Sequence, residues 1–157
     1  MASPKYEAIK TQTLAFYESQ KPIFCPALND HVLFTSIGFN HIMYKRHRAM
    51  RDQESQIMRF KMLPRAIRLI ELTTTYQEFE KSEKLFEVKM QKKKVMQRKD
   101  VSYWGIIAII DERKIKVVVR KIGNGKIHFW SIIPAWVTNI KRDQKYIITM
   151  KDNPDED

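Results

Sequence analysis

Three segments in the second half of the chain, Val101 to Ile110, Lys114 to Ile122 and Lys126 to Ile133, are dominated by Val, Ile and aromatic residues and read as successive strands. Links this short leave no room for a crossover, so neighbouring strands must run antiparallel. Tyr103 to Ile110 is apolar on both faces and reads as the central strand. Gly123-Asn124-Gly125 supplies the tight turn of the last hairpin. The register of that hairpin stays open. A two-residue turn at Asn124-Gly125 pairs Lys121 with His128, whereas a three-residue loop from Gly123 to Gly125 pairs Arg120 with it. Either choice sets a cation beside a histidine.

Upstream, the pattern changes to a helical period. Ser3-Pro4 starts a helix over about residues 4–20, which Lys21-Pro22 ends. Residues 22–31 form a loop, and His31 to Phe34 is a short extended piece. Thr35 or Ser36 caps a helix covering His41. Phe60, Leu63, Ile67 and Ile70 keep helical spacing across Pro64, which predicts a kinked helix, or two short coaxial ones, between Asp52 and Leu72. A further strand is expected at Leu85 to Met90, with Lys92-Lys93-Lys94 at a turn or exposed edge. Lys145 to Lys151 can add a last edge strand. The expected fold class is α+β, with N-terminal helices followed by a small antiparallel β-sheet. Residues 1–151 read as a single domain and 152–157 as an acidic, disordered tail.

At 157 residues the chain can bury one core. Its formal net charge is +11, and four of its acids lie in the tail, so residues 1–151 carry +15. That charge favours a polyanionic partner, nucleic acid before an anionic membrane surface. The lone Cys25 excludes an internal disulfide framework and a Cys-based zinc site, and points to a reducing, cytoplasmic setting. The sequence shows no targeting signal and no apolar run long enough to cross a bilayer, so no membrane association is expected.

Four histidines are present, and two fall in the basic stretch Phe39-Asn40-His41-Ile42-Met43-Tyr44-Lys45-Arg46-His47-Arg48. On a helix His41, Lys45 and Arg48 share one side, while His47 is rotated away from His41. The second constellation is His128 with Arg120 or Lys121, followed by Phe129-Trp130-Ser131. Alternation puts His128 and Trp130 on one face, and Phe129, Ile127 and Ile133 on the buried one. Lys61, Arg65 and Arg68 form a basic helix face, more often a solvated surface than a phosphate contact. Trp130, Trp136 and Tyr103 can stack bases or simply fill the core.

No Asp or Glu occupies the apolar strands, where a two-metal nuclease would hold its ions, and no glycine-rich phosphate loop or G-x-S-x-G is present. No metal and no cofactor is expected. Metal-independent RNA cleavage fits what remains. It needs a base for the 2′-hydroxyl, cations around the phosphorane and an acid for the leaving 5′-oxygen. The candidate catalytic residues are His41, His128, Arg120 and Lys45. Arg46, His47, Arg48, Lys61, Arg65, Arg68, Lys121, Trp130 and Ser131 are candidate nucleic-acid contacts. A competing expectation is a non-catalytic nucleic-acid-binding protein, and a weaker third is a basic surface that meets an acidic protein.

Val32-Leu33-Phe34-Thr35 leading into His41, Lys45-Arg46-His47, and later strands bearing Arg120 and His128-Phe129-Trp130-Ser131 together resemble the barnase–EndoU–colicin–RelE type of nuclease, especially phage and bacterial toxin versions. The resemblance covers roughly residues 30–140. It implies helices before an antiparallel sheet, metal-independent RNA cleavage by His, Arg and Lys, and a toxin-like component with an acidic, antitoxin-like partner. The catalytic glutamate of the barnase branch has no counterpart here. The whole chain is also similar to small, basic, uncharacterised bacterial proteins with Phe-Asn-His, Arg-Phe-Lys and His-Phe-Trp-Ser signatures.

Overall fold

The computed structural model describes residues 3–45 and 49–136. Helix α1 (Pro4–Glu18) leads to strands β1 (Ile23–Cys25) and β2 (Asp30–Leu33), then to helix α2 (Ser36–Met43). Two short strands, β3 (Tyr44–Lys45) and β4 (Ala49–Met50), precede helix α3 (Gln53–Leu72). Four long strands complete the described chain: β5 (Glu78–Met90), β6 (Lys93–Ile110), β7 (Arg113–Ile122) and β8 (Ile127–Trp136). The expected strand at Lys145 to Lys151 and the acidic tail lie outside the described residues.

Local sequence accounts for the helix ends. Ser3 caps α1 by accepting from the Tyr6 amide at 3.1 Å, with Pro4 at the first helical position, where its missing N–H costs nothing. Asp52 caps α3 by accepting from the Ser55 amide at 2.7 Å. Thr35 occupies the N-cap position of α2, but its side chain makes no capping bond. Its carbonyl instead accepts from the Tyr17 hydroxyl at 2.6 Å, which ties α2 to α1. Pro64 lies inside α3 on its exposed side, so the carbonyl deprived of a partner can face water and the helix continues past it.

The expectation of an α+β chain holds, with two corrections. Among the described residues the main sheet has six strands in the order β1-β2-β8-β7-β6-β5 and is mixed, because β2 runs parallel to β8 through Val32↔Ile127 and Leu33↔His128. Helices and strands also interleave: β1 and β2 come before α2 and α3. A parallel pairing between segments almost a hundred residues apart leaves no local trace in the sequence. The antiparallel β5 to β8 meander was legible in outline, but β5 and β6 are longer than expected, Glu78–Met90 and Lys93–Ile110, and β6, expected as the central strand, lies next to the edge strand β5. Two of the meander's turns put non-glycine residues at positive φ, at Gln91-Lys92 and Asp111-Glu112. Primed turns of this kind match the strand twist, and their left-handed residues cost about 1–2 kcal/mol each.

The core lies between one face of the sheet and the helices. Ile106, Ile115, Val117, Val119, Ile127, Phe129 and Ile132 meet Phe39, Ile42, Phe60, Leu63 and Ile70 there. Val101, Tyr103, Val118 and Ile133 form a smaller cluster. Ile133 thus departs from strict alternation. In the β7–β8 ladder Val118 pairs with Ser131 but Val119 with Phe129, so Trp130 is an extra residue. This bulge reverses the in–out order, sending Ile132 to the helix side and Ile133 away from it.

Candidate functional site

Helix α2 is eight residues long, so almost all its backbone groups are terminal ones that need outside partners. Its last carbonyls receive them from the start of α3. The Arg51 amide donates to Met43 O at 3.0 Å, and Arg51 Nε donates to His41 O at 3.2 Å. Gln56, 0% exposed, donates through Nε2 to Arg51 O at 2.7 Å and to Met43 O at 3.4 Å, and its Oε1 accepts from the Tyr6 hydroxyl. These buried bonds fix the segment that carries His41. Gln56 lies one helical turn before Phe60 on the apolar stripe of α3. A polar residue on such a stripe is the sequence signal for a buried hydrogen-bonding role.

Gly38 sets the depth to which α2 docks on β8. A Cβ there would lie 2.5 Å from both Phe129 Cδ2 and the Tyr17 hydroxyl, so only glycine permits this approach. The docking carries the His41 ring onto Trp130, with ring centroids 4.4 Å apart and planes inclined at 23°. Beneath Trp130, the strand register decides the rest. Tyr103 pairs with Arg120 and Arg120 with His128, so the three side chains form a row on one face of the sheet. The longer turn is therefore the one adopted, and Arg120 is the cation beside His128.

Arg120 is 8% exposed and His128 7%. Arg120 Nε donates to His128 Nε2 at 3.0 Å, and the guanidinium carbon lies 3.7 Å from the Trp130 ring centroid. A ring nitrogen that accepts carries no proton, so His128 is the neutral tautomer with its proton on Nδ1. That nitrogen faces Lys126 O at 3.4 Å. Burial first, and then the Arg120 charge, hold the His128 pKa below the usual histidine value, against the raising effect of the Lys126 carbonyl. Tyr103 lies edge-on to Trp130 at 6.3 Å and accepts from Lys84 Nζ at 2.9 Å.

His41, Lys45, Arg120 and Trp130 line one cavity of about 790 Å³, together with Ile37, Asn40 and Tyr44. Three of the four expected catalytic residues thus come together from α2, β3 and β7. Lys45 arrives by a different route than expected, because α2 ends at Met43 and Lys45 belongs to β3. His128 does not line the cavity; it stands behind Arg120 and orients it. The His41 ring nitrogens are shielded from solvent. Trp130 is engaged by both Arg120 and His41, which leaves less of its π surface for a base than a bare platform would offer.

The remaining candidates disperse. Arg46, His47 and Arg48 lie outside the described residues, as does the side chain of Trp136. Arg65 pairs at 2.8 Å with Asp111 in the β6–β7 turn, and Lys61 and Arg68 are exposed on α3; none of the three lines the cavity. Ser131 is 1% exposed within the sheet. Lys121 lines a separate groove beside Gly123, Asn124 and Gly125. Asn40, Tyr44 and Ile37 belong to the cavity but were not singled out from the sequence, since only the docking of α2 turns them toward Arg120. Among the described residues no group of three His, Cys, Asp or Glu could hold a metal ion, and no helix is long and apolar enough to cross a membrane. Comparison of the chain with protein-family models, with curated proteins and with solved structures finds no match.

Proposed function

We propose that the protein is a metal-independent endoribonuclease that engages the RNA backbone at the cavity between α2 and β8. The observation that carries this reading is the meeting of His41, Lys45 and Arg120 at one cavity, from segments some 75 residues apart in the chain. Arg120 supplies positive charge where the pentacoordinate phosphorus would gather negative charge, and its pre-set guanidinium needs no reorganisation to do so. His41 takes the proton from the 2′-hydroxyl as the 2′-oxygen attacks phosphorus. The bond from phosphorus to the 5′-oxygen breaks, and that oxygen leaves with a proton donated from the same cavity, where Lys45 and Tyr44 carry N–H and O–H groups. The products are a 2′,3′-cyclic phosphate and a free 5′-hydroxyl. His128 acts as a positioning residue for Arg120, because its Nε2 is already committed to the guanidinium.

Binding without cleavage is the second reading, favoured by the shielding of both His41 ring nitrogens. An RNA that reaches them must displace what covers them. Incubating the purified protein with mixed RNA in EDTA separates the two readings. Cleavage predicts cyclic-phosphate ends that are lost in His41→Ala and Arg120→Ala but reduced rather than abolished in His128→Gln. Intact RNA bound in a salt-sensitive manner supports the binding protein. A protein that neither binds nor cuts RNA refutes both.

A further inference from the structure

The pairing of β6 with β7 ends at Val101↔Ile122, whereas β6 stays paired with β5 out to Met90↔Lys93. Residues 84–99 therefore form a two-stranded arm that projects beyond the rest of the sheet. Seven residues of β5, from Lys84 to Met90, make it about 20 Å long at the usual rise per residue. The arm contains seven Lys and Arg residues and one acid, Glu87, a net charge of +6. It also exposes Leu85, Met90, Val95 and Met96. A ribbon this cationic is self-repelling unless a polyanion lies against it.

The two faces of the arm differ. Cross-strand partners share a face, so the face that continues from Tyr103 and Arg120 carries Lys84, Phe86, Val88 and Met90 on β5 and Lys93, Val95, Gln97 and Lys99 on β6. It has no acid. The opposite face carries Glu87, which pairs with Lys94 at 3.5 Å. Where the first face joins the sheet, Phe86 packs on the cluster of Val101, Tyr103 and Val118, and Lys84 meets the Tyr103 hydroxyl. The chain of contacts from Lys84 through Tyr103 to Trp130 and Arg120 is unbroken.

We propose that this face of the β5–β6 arm is an extended binding track for single-stranded RNA, carrying the nucleotides flanking the one held at the Arg120 cavity. Lys93 and Lys99 meet backbone phosphates, while Val95 and Met90 give apolar contact to the bases. The inference rests on the RNA reading of the cavity and adds the length dependence of binding to it. The site recognises one phosphodiester; the arm makes a longer strand bind more tightly.

The test uses two charge-matched variants of the full chain, Lys93→Gln/Lys99→Gln on the proposed face and Lys89→Gln/Arg98→Gln on the other. Affinities for a 20-nucleotide and a 4-nucleotide RNA are measured against salt. The first variant should bind the 20-mer at least about tenfold more weakly, and its salt slope should be shallower by about 1.4, the value for two single-strand phosphate contacts. Its affinity for the 4-mer should be unchanged, and the second variant should stay within about twofold of the parent on both. Matching circular dichroism and melting temperature across the three proteins would exclude misfolding. Equal losses in the two variants would overturn the track and leave the cavity reading standing. Failure of the parent to bind either RNA would refute the RNA reading, and the track with it. Phosphatidylserine vesicles that pellet the parent but not the first variant, with 20-mer affinity equal in the two, would assign the arm to a membrane surface and overturn the track.

Discussion

Replacing His128 with alanine removes the acceptor of the buried Arg120 Nε–H. Arg120 is 8% exposed, so water does not readily take over the bond. A hydrogen bond to a charged group contributes about 1.5–3 kcal/mol, and leaving the charged donor buried without its acceptor puts the loss at the upper end of that range. A destabilisation of about 3 kcal/mol lowers the melting temperature of a chain this size by roughly 6–12 °C. The pH dependence gives a second, sharper readout. The His128 pKa is lowered in the folded protein, so below the ordinary histidine value the unfolded chain binds a proton that the folded one refuses. Stability is then complete above about pH 6.5 and falls as the solution is acidified from there toward the folded-state pKa, with a slope of at most about 1.4 kcal/mol per pH unit. Urea unfolding at a series of pH values from 7.5 to 5 measures both effects. His128→Gln, which keeps an acceptor but cannot titrate, should recover much of the lost stability while losing the acid-sensitive component. A melting temperature within 2 °C of the parent in His128→Ala, or an unchanged pH slope in His128→Gln, would refute the assignment of His128 as the neutral partner of Arg120.

Gly38→Ala should be among the most damaging small substitutions. Its Cβ would sit 2.5 Å from Phe129 and Tyr17, so α2 must move off β8, at a cost of about 1–3 kcal/mol and with separation of His41 from Trp130. Thermal melts and tryptophan fluorescence check both effects. Arg65→Ala should change stability by less than about 1 kcal/mol, since its bond to Asp111 is a surface pair and no cavity group depends on it. A loss of RNA cleavage or binding in that variant would mean that the basic face of α3 belongs to the binding surface after all.

What the sequence determined by itself was much of what near neighbours along the chain govern, though not the charged strand of residues 93–100 that pairs with β5. The strand character of Val101 to Ile133, the Ser3-Pro4 helix start, the passage of a helix through Pro64 and the turn at Gly123 all follow from periodicity and local backbone preference. The choice between Arg120 and Lys121 was not settled at that level, because one residue in the turn moves every partner in the ladder. Nor was the fate of Ile133, which depends on a bulge at Trp130 that alternation cannot anticipate. The tertiary structure alone decided the parallel seam of β2 on β8 and the Gly38 docking of α2. Those two contacts join segments about ninety residues apart, and they bring His41 and Lys45 to Arg120. Local energies place a histidine on a helix and an arginine on a strand; only the packing of one against the other makes a cavity between them.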